Sequence, residues 1–113
     1  NLLVNFLITP TTSTERIRQI EEATTGFIYV VSSNSITGKL GQLNQEQQKY
    51  FERIQSLHLR KPTMIGFGIH DKQSFANACK YANGAIIGSA FLRILEKDVR
   101  SKTVQKFIQD IQP

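Results

Sequence analysis

Three glycine-bearing stretches carry the clearest chemical signal in this chain: Ile36-Thr37-Gly38, Gly66-Phe67-Gly68 and Gly88-Ser89. Glycine lets backbone N–H groups close round an anion, and a helix start adds unpaired N–H groups and a favourable dipole. A turn explains any one of these glycines alone. The recurrence of strand, glycine and helix start points to phosphate binding. Tyr29 and Phe67 lie near these stretches, where an aromatic either fills a core or lines a flat apolar pocket. The acids point elsewhere. Glu15, Glu21, Glu22, Glu46, Glu52, Asp71, Glu96, Asp98 and Asp110 all fall on expected helices or their caps. No carboxylate pair is therefore placed at a strand end for general acid–base work. His70 either reaches a site or simply precedes the Asp71 cap, His58 reads as surface, and Cys79 reads as a small core residue on an apolar helix face. No metal-ligand cluster stands out.

The elements that position these residues follow from hydrophobic period and punctuation. Leu2 to Ile8 is an apolar run closed by Thr9-Pro10 and reads as a buried strand. Thr12 to Glu15 offers a capping box with Thr12 as N-cap, and Ile17, Ile20 and Ala23 follow at helical spacing. Gly26 to Ser32 is a second strand, rich in β-branched and aromatic residues. A polar loop runs from Ser33 to Asn44, and Asn44 caps a helix to about Leu57. Thr63 to Ile69 is the third strand, followed by a helix capped by Asp71 and closed at Asn83-Gly84. Ala85 to Ile87 is the fourth strand, Gly88-Ser89-Ala90 opens a helix, and Ser101 starts the last one.

Strand and helix thus alternate four times, which gives an α/β fold with a parallel sheet. Either an open doubly wound sheet or a (β/α)8 barrel fits. A full barrel takes eight units and about 250 residues, so four units are half of one. In barrels the phosphate site often lies after the last two strands, where Gly66-Phe67-Gly68 and Gly88-Ser89 would stand in a carboxyl-terminal half.

With 113 residues, one domain is the ceiling. The chain opens as if inside a core strand and reads as part of a longer protein. A single cysteine can make no internal disulfide and suits a reducing cytoplasm. No apolar run approaches the roughly 20 residues of a membrane span, so no membrane is expected. Fourteen Lys+Arg against nine Asp+Glu give a net charge of +5. These cations are scattered among acids without aromatic clusters, as on a solvated helix surface, and no nucleic acid is expected. Only Lys97 to Lys106 is locally basic.

Pro10-Thr11-Thr12 with Glu15-Arg16-Ile17, Gly26 to Ser32, Ile36-Thr37-Gly38, Gly66-Phe67-Gly68-Ile69 and Gly84 to Ala90 resemble, in order and over nearly the whole chain, the tryptophan synthase alpha subunit family. The resemblance implies a TIM barrel of which residues 1–113 supply the fifth to eighth βα units, its carboxyl-terminal half. It implies a lyase of tryptophan biosynthesis, cleaving indole-3-glycerol phosphate to indole and glyceraldehyde 3-phosphate. Positions matching Gly38, Gly68, Gly88 and Ser89 hold the phosphate, and those matching Tyr29 and Phe67 line the indole and glycerol pocket. Thr37 matches a mobile-loop threonine that helps close the site and orient a catalytic aspartate. The family's catalytic glutamate and aspartate belong to its amino-terminal half, so no catalytic residue is expected in this segment, and the segment alone is expected to be inactive. The implied partner is a beta subunit in an alpha-beta-beta-alpha complex. That subunit carries pyridoxal phosphate, and no cofactor is expected in this chain. Ser33 and Ser35 stand where many members carry Arg and Gly, and His70 where Ser is common.

Two other function classes share parts of this pattern. Another phosphate-binding barrel, such as a sugar-phosphate isomerase or epimerase, shares the glycine sites without needing an apolar pocket at Phe67. A non-catalytic module would be either a self-pairing half-barrel or a nucleic-acid binder using Lys97 to Lys106.

Overall fold

The computed structural model describes residues 2–32, 44–66 and 68–112. Four strands, β1 (Phe6–Ile8), β2 (Ile28–Val31), β3 (Thr63–Gly66) and β4 (Gly84–Ala85), form one parallel sheet in the order β1-β2-β3-β4. Between and after them lie α1 (Thr14–Ala23), α2 (Gln45–Ser56), α3 (Lys72–Cys79), α4 (Ser89–Lys97) and α5 (Ser101–Ile111). A doubly wound sheet reverses its strand order at a switch point. Here the order never reverses, so successive crossovers lie on one side, as in an arc of a barrel.

Alternation along the strands sorts the two faces. Ile8, Ile28, Val30 and Ile65 are buried and pack with Ile17 and Ile20 of α1, Tyr50, Phe51 and Ile54 of α2, and Ala78 of α3. The intervening residues face the other way: Leu7 is 58% exposed, and Tyr29, Val31 and Met64 are half-buried. This second row corresponds to the inner wall of a barrel.

The strands are shorter than their apolar runs. Leu2, Leu3 and Val4 lie outside β1 and are exposed, although Val4 accepts bonds from the Thr25 and Gly26 N–H groups. β3 stops at Gly66, and Gly68 at φ +76° leaves the extended region altogether. β4 is Gly84–Ala85 rather than Ala85 to Ile87, but the Ile86 N–H still donates to the Ile65 carbonyl at 2.8 Å.

The helix starts mostly follow the sequence signals. Asn44 and Asp71 form capping boxes with Gln47 and Ser74. The α1 cap is Ser13, not Thr12. The Thr12 hydroxyl is engaged by the Thr9 N–H at 2.9 Å, which leaves the Ser13 hydroxyl to accept from the Arg16 N–H at 3.2 Å. Cys79 is exposed rather than in the core. The buried stripe of α3 is Ser74 and Ala78, four residues apart, and Cys79 is turned about 100° away from it.

α2 is also tied to the connection after β1. The Tyr50 hydroxyl donates to the Ile8 carbonyl at 3.2 Å, and burial pushes this phenol's pKa up. The Arg53 guanidinium donates to the Thr12 carbonyl at 2.9 Å and the Pro10 carbonyl at 3.5 Å.

Candidate functional site at the carboxyl ends of the strands

Four strand ends converge on one rim of the arc. After β2, the buried Ser32 hydroxyl donates to the Gly66 carbonyl at 2.7 Å, joining the ends of β2 and β3. Tyr29 stands on the inner face opposite Met64 and diagonal to Gly66. A Cβ on Gly66 would overlap the Tyr29 phenol oxygen and Cζ and lie 2.8 Å from Cε1. The glycine is therefore what lets the Tyr29 ring lie across β3.

Beyond β3, Gly68 is exposed at φ +76°, and a Cβ there would meet nothing within 4 Å. Left-handed backbone favours glycine, and the open space leaves the main chain approachable. His70 follows, with Nδ1 2.9 Å from the Gly68 carbonyl and Nε2 3.5 Å from Asp71 Oδ2. Bonds from the Ser74 N–H and hydroxyl hold the Asp71 carboxyl below its ordinary pKa.

Beyond β4, Gly88 is the N-cap of α4. It too has open space where a Cβ would stand. α1, α2 and α3 each receive a side-chain cap, whereas α4, like α5, has none. Ser89, its first residue, is exposed. Two open glycines at adjacent strand ends, one of them starting a helix without a side-chain cap, form an arrangement able to bind an anion.

Among the described residues, every acid lies on a helix or at a helix cap, and no cluster of metal-ligating side chains occurs. Asp98, held down to about 2 by its bonds with Arg100, sits at the far end of α4. A cleft of about 240 Å³ opens beside Thr63 at the amino ends of the strands, between the ends of α2 and α3. It lies at the wrong end of the sheet for ligand binding in a barrel.

The family model for the tryptophan synthase alpha chain matches residues 1–112. The chain belongs to the tryptophan synthase alpha chain family. It is 51% identical over 110 residues to the alpha chain of Flavobacterium johnsoniae, covering 96% of this chain and 43% of that protein. It is 55% identical over 93 residues to that of Phocaeicola vulgatus, covering 82% of this chain and 36% of that protein. The chain thus spans less than half the length of the curated relatives it matches. The solved structure of tryptophan synthase subunit alpha from Campylobacter jejuni superposes with a TM-score of 0.80 at 25% identity, covering 98% of this chain and 44% of that one. That of the Pyrococcus furiosus subunit gives 0.73, also at 25% identity, over 97% and 44%. The fold is therefore part of a TIM barrel, and the doubly wound alternative falls away.

Within that frame, Tyr29, Gly68, Gly88 and Ser89 stand on the inner wall or carboxyl rim of three consecutive strands. Thr37, Gly38 and Phe67 lie outside the described residues, as does most of the expected Ser33 to Asn44 loop. Sequence inspection missed the pairing of Tyr29 with Gly66. The available signal was register: Gly66 stands two residues beyond the cross-strand partner of an inward aromatic. It also missed the Tyr50 and Arg53 ties, whose acceptors are backbone carbonyls and leave no mark in the sequence.

Proposed function

We propose that this chain is the carboxyl-terminal half of a tryptophan synthase alpha subunit, supplying its fifth to eighth βα units. The whole subunit is a lyase of tryptophan biosynthesis that splits indole-3-glycerol phosphate into indole and glyceraldehyde 3-phosphate. Gly68, Gly88 and Ser89 hold the phosphate together with Gly38, while Tyr29 and Phe67 line the indole and glycerol pocket. Thr37 helps close the site, which excludes water and completes it. The catalytic glutamate and aspartate come from the amino-terminal half, so this segment alone does not turn over. The partner is the beta subunit, which carries the pyridoxal phosphate, in an alpha-beta-beta-alpha complex working in the cytoplasm.

The observation that carries this proposal is the pair of open glycines, Gly68 and Gly88, at adjacent strand ends beside the inward Tyr29. It supports a reading in which an anion binds next to an aromatic wall. The test is binding and turnover of indole-3-glycerol phosphate by the full-length polypeptide that contains this chain, with the segment alone as control. Indole release by the full polypeptide and none by the segment is expected. Binding of the substrate no tighter than binding of inorganic phosphate refutes the proposal.

A further inference from the structure

We propose that His70 is a positioning residue of the anion site, acting through the Gly68 carbonyl; this rests on the phosphate role given above to Gly68. Gly68 is the most weakly restrained kind of residue in an uncommon conformation. It is exposed, sits at φ +76°, and has no side chain of its own to pack. Left alone, such a peptide samples several orientations, and an anion would have to order it on binding.

Two linked anchors oppose this. The first is the start of α3. Asp71 Oδ1 accepts from the Ser74 N–H at 2.8 Å and from the Ser74 hydroxyl at 2.8 Å. The same hydroxyl oxygen accepts the His70 N–H at 2.9 Å and the Asp71 N–H at 3.0 Å. The backbone of His70 is thereby fixed to the first turn of the helix. The second anchor is the ring. Gly68 O can only accept, so Nδ1 carries the proton in the 2.9 Å bond. In that tautomer Nε2, 3.5 Å from Asp71 Oδ2, has no proton to donate and adds no anchor, so the link to the helix cap is the His70 backbone N–H on the Ser74 hydroxyl. His70 thus spans from the helix cap to the strand-end glycine.

The mechanical consequence follows from peptide geometry. In a trans peptide the C=O and N–H point in opposite directions. Holding the Gly68 carbonyl against the ring therefore turns the Ile69 N–H away from the ring and fixes ψ of Gly68. The orientation of the main chain on this rim is set before an anion arrives. Less ordering remains to be done on binding, which is how preorganisation raises affinity.

The experiment uses the full-length polypeptide and inorganic phosphate as the probe, and compares two uncharged replacements so that charge does not differ between them. His70→Ala is expected to weaken phosphate binding by about tenfold, the scale of one hydrogen bond that orders a binding loop. His70→Asn keeps an N–H donor close to the Nδ1 position and is expected to restore affinity to within about threefold of the parent. His70 is exposed, and thermal melting confirms that both variants fold. Affinity of His70→Ala equal to the parent, or His70→Asn no better than His70→Ala, overturns the positioning role while leaving the anion site standing. Absence of phosphate binding in the parent refutes the anion site and this inference with it.

Discussion

Gly66 and Tyr29 offer the sharpest test of how the inner wall is built. Replacing Gly66 by Ala places a methyl group on the Tyr29 phenol oxygen and Cζ, with Cε1 at 2.8 Å. The ring is rigid, so three of its atoms cannot yield separately, and the side chain must swing about χ1 or β3 must shift. Overpacking of this kind costs about 1–3 kcal/mol. Against it, alanine in place of a strand glycine gains about 0.5–1 kcal/mol through the unfolded chain. The clash is the larger effect, leaving a net loss of about 1–2 kcal/mol. In a Tyr29→Ala background the clash is gone and only the gain remains, so the same substitution becomes stabilising. Urea unfolding of the four proteins of the cycle, made in the full-length polypeptide, gives the coupling directly. A coupling of about 1–3 kcal/mol is expected, with Gly66→Ala harmful only when Tyr29 is present. The variant should also lose affinity for an indole-bearing phosphate more than for inorganic phosphate, because it displaces the aromatic wall and leaves the glycine rim alone. Additive behaviour within about 0.5 kcal/mol would refute the structural account of this contact.

Two further outcomes follow from side chains remote from the site. Cys79 is exposed, so in the native protein it should react with an aromatic disulfide reagent within about tenfold of its rate in urea; protection by several orders of magnitude would return it to the core. Asp98 is lowered from the ordinary 3.8 to about 2 by its bonds with Arg100, so its contribution to stability is complete above the ordinary carboxylate range and is lost as pH falls through about 2. Asp98→Asn should flatten that part of the melting-temperature profile between pH 4 and 2, and an unchanged profile would show that the pair does not act in the folded state.

The order of elements was legible because each strand carries a dense apolar run and each turn its own punctuation. Asn44 and Asp71 cap where their spacing to Gln47 and Ser74 says they should. Boundaries were less legible. An apolar run does not mark where a strand begins or stops, so Leu2 to Val4 stand exposed before β1 and Ile86 to Ile87 run on past β4. The choice between Thr12 and Ser13 turned on a hydroxyl already occupied by Thr9, a competition invisible at the level of residue type. The glycine rim was legible in outline, because glycine before a helix start has a distinctive spacing. The His70 bridge was not, since a histidine before an aspartate cap has the same letters whether its ring reaches Gly68 or points into solvent.

The ties from α2 to the connection after β1 bear on how freely this protein can change. Arg53 and Tyr50 donate to the main-chain carbonyls of Thr12, Pro10 and Ile8. A carbonyl is the same whatever side chain its residue bears. The stretch from Pro10 to Thr12 can therefore drift in composition without loosening its hold on the neighbouring unit, so long as its backbone path persists. The fixed requirement rests on two donors in α2, and the stretch they hold follows the carboxyl end of β1, the rim on which a barrel binds its ligands.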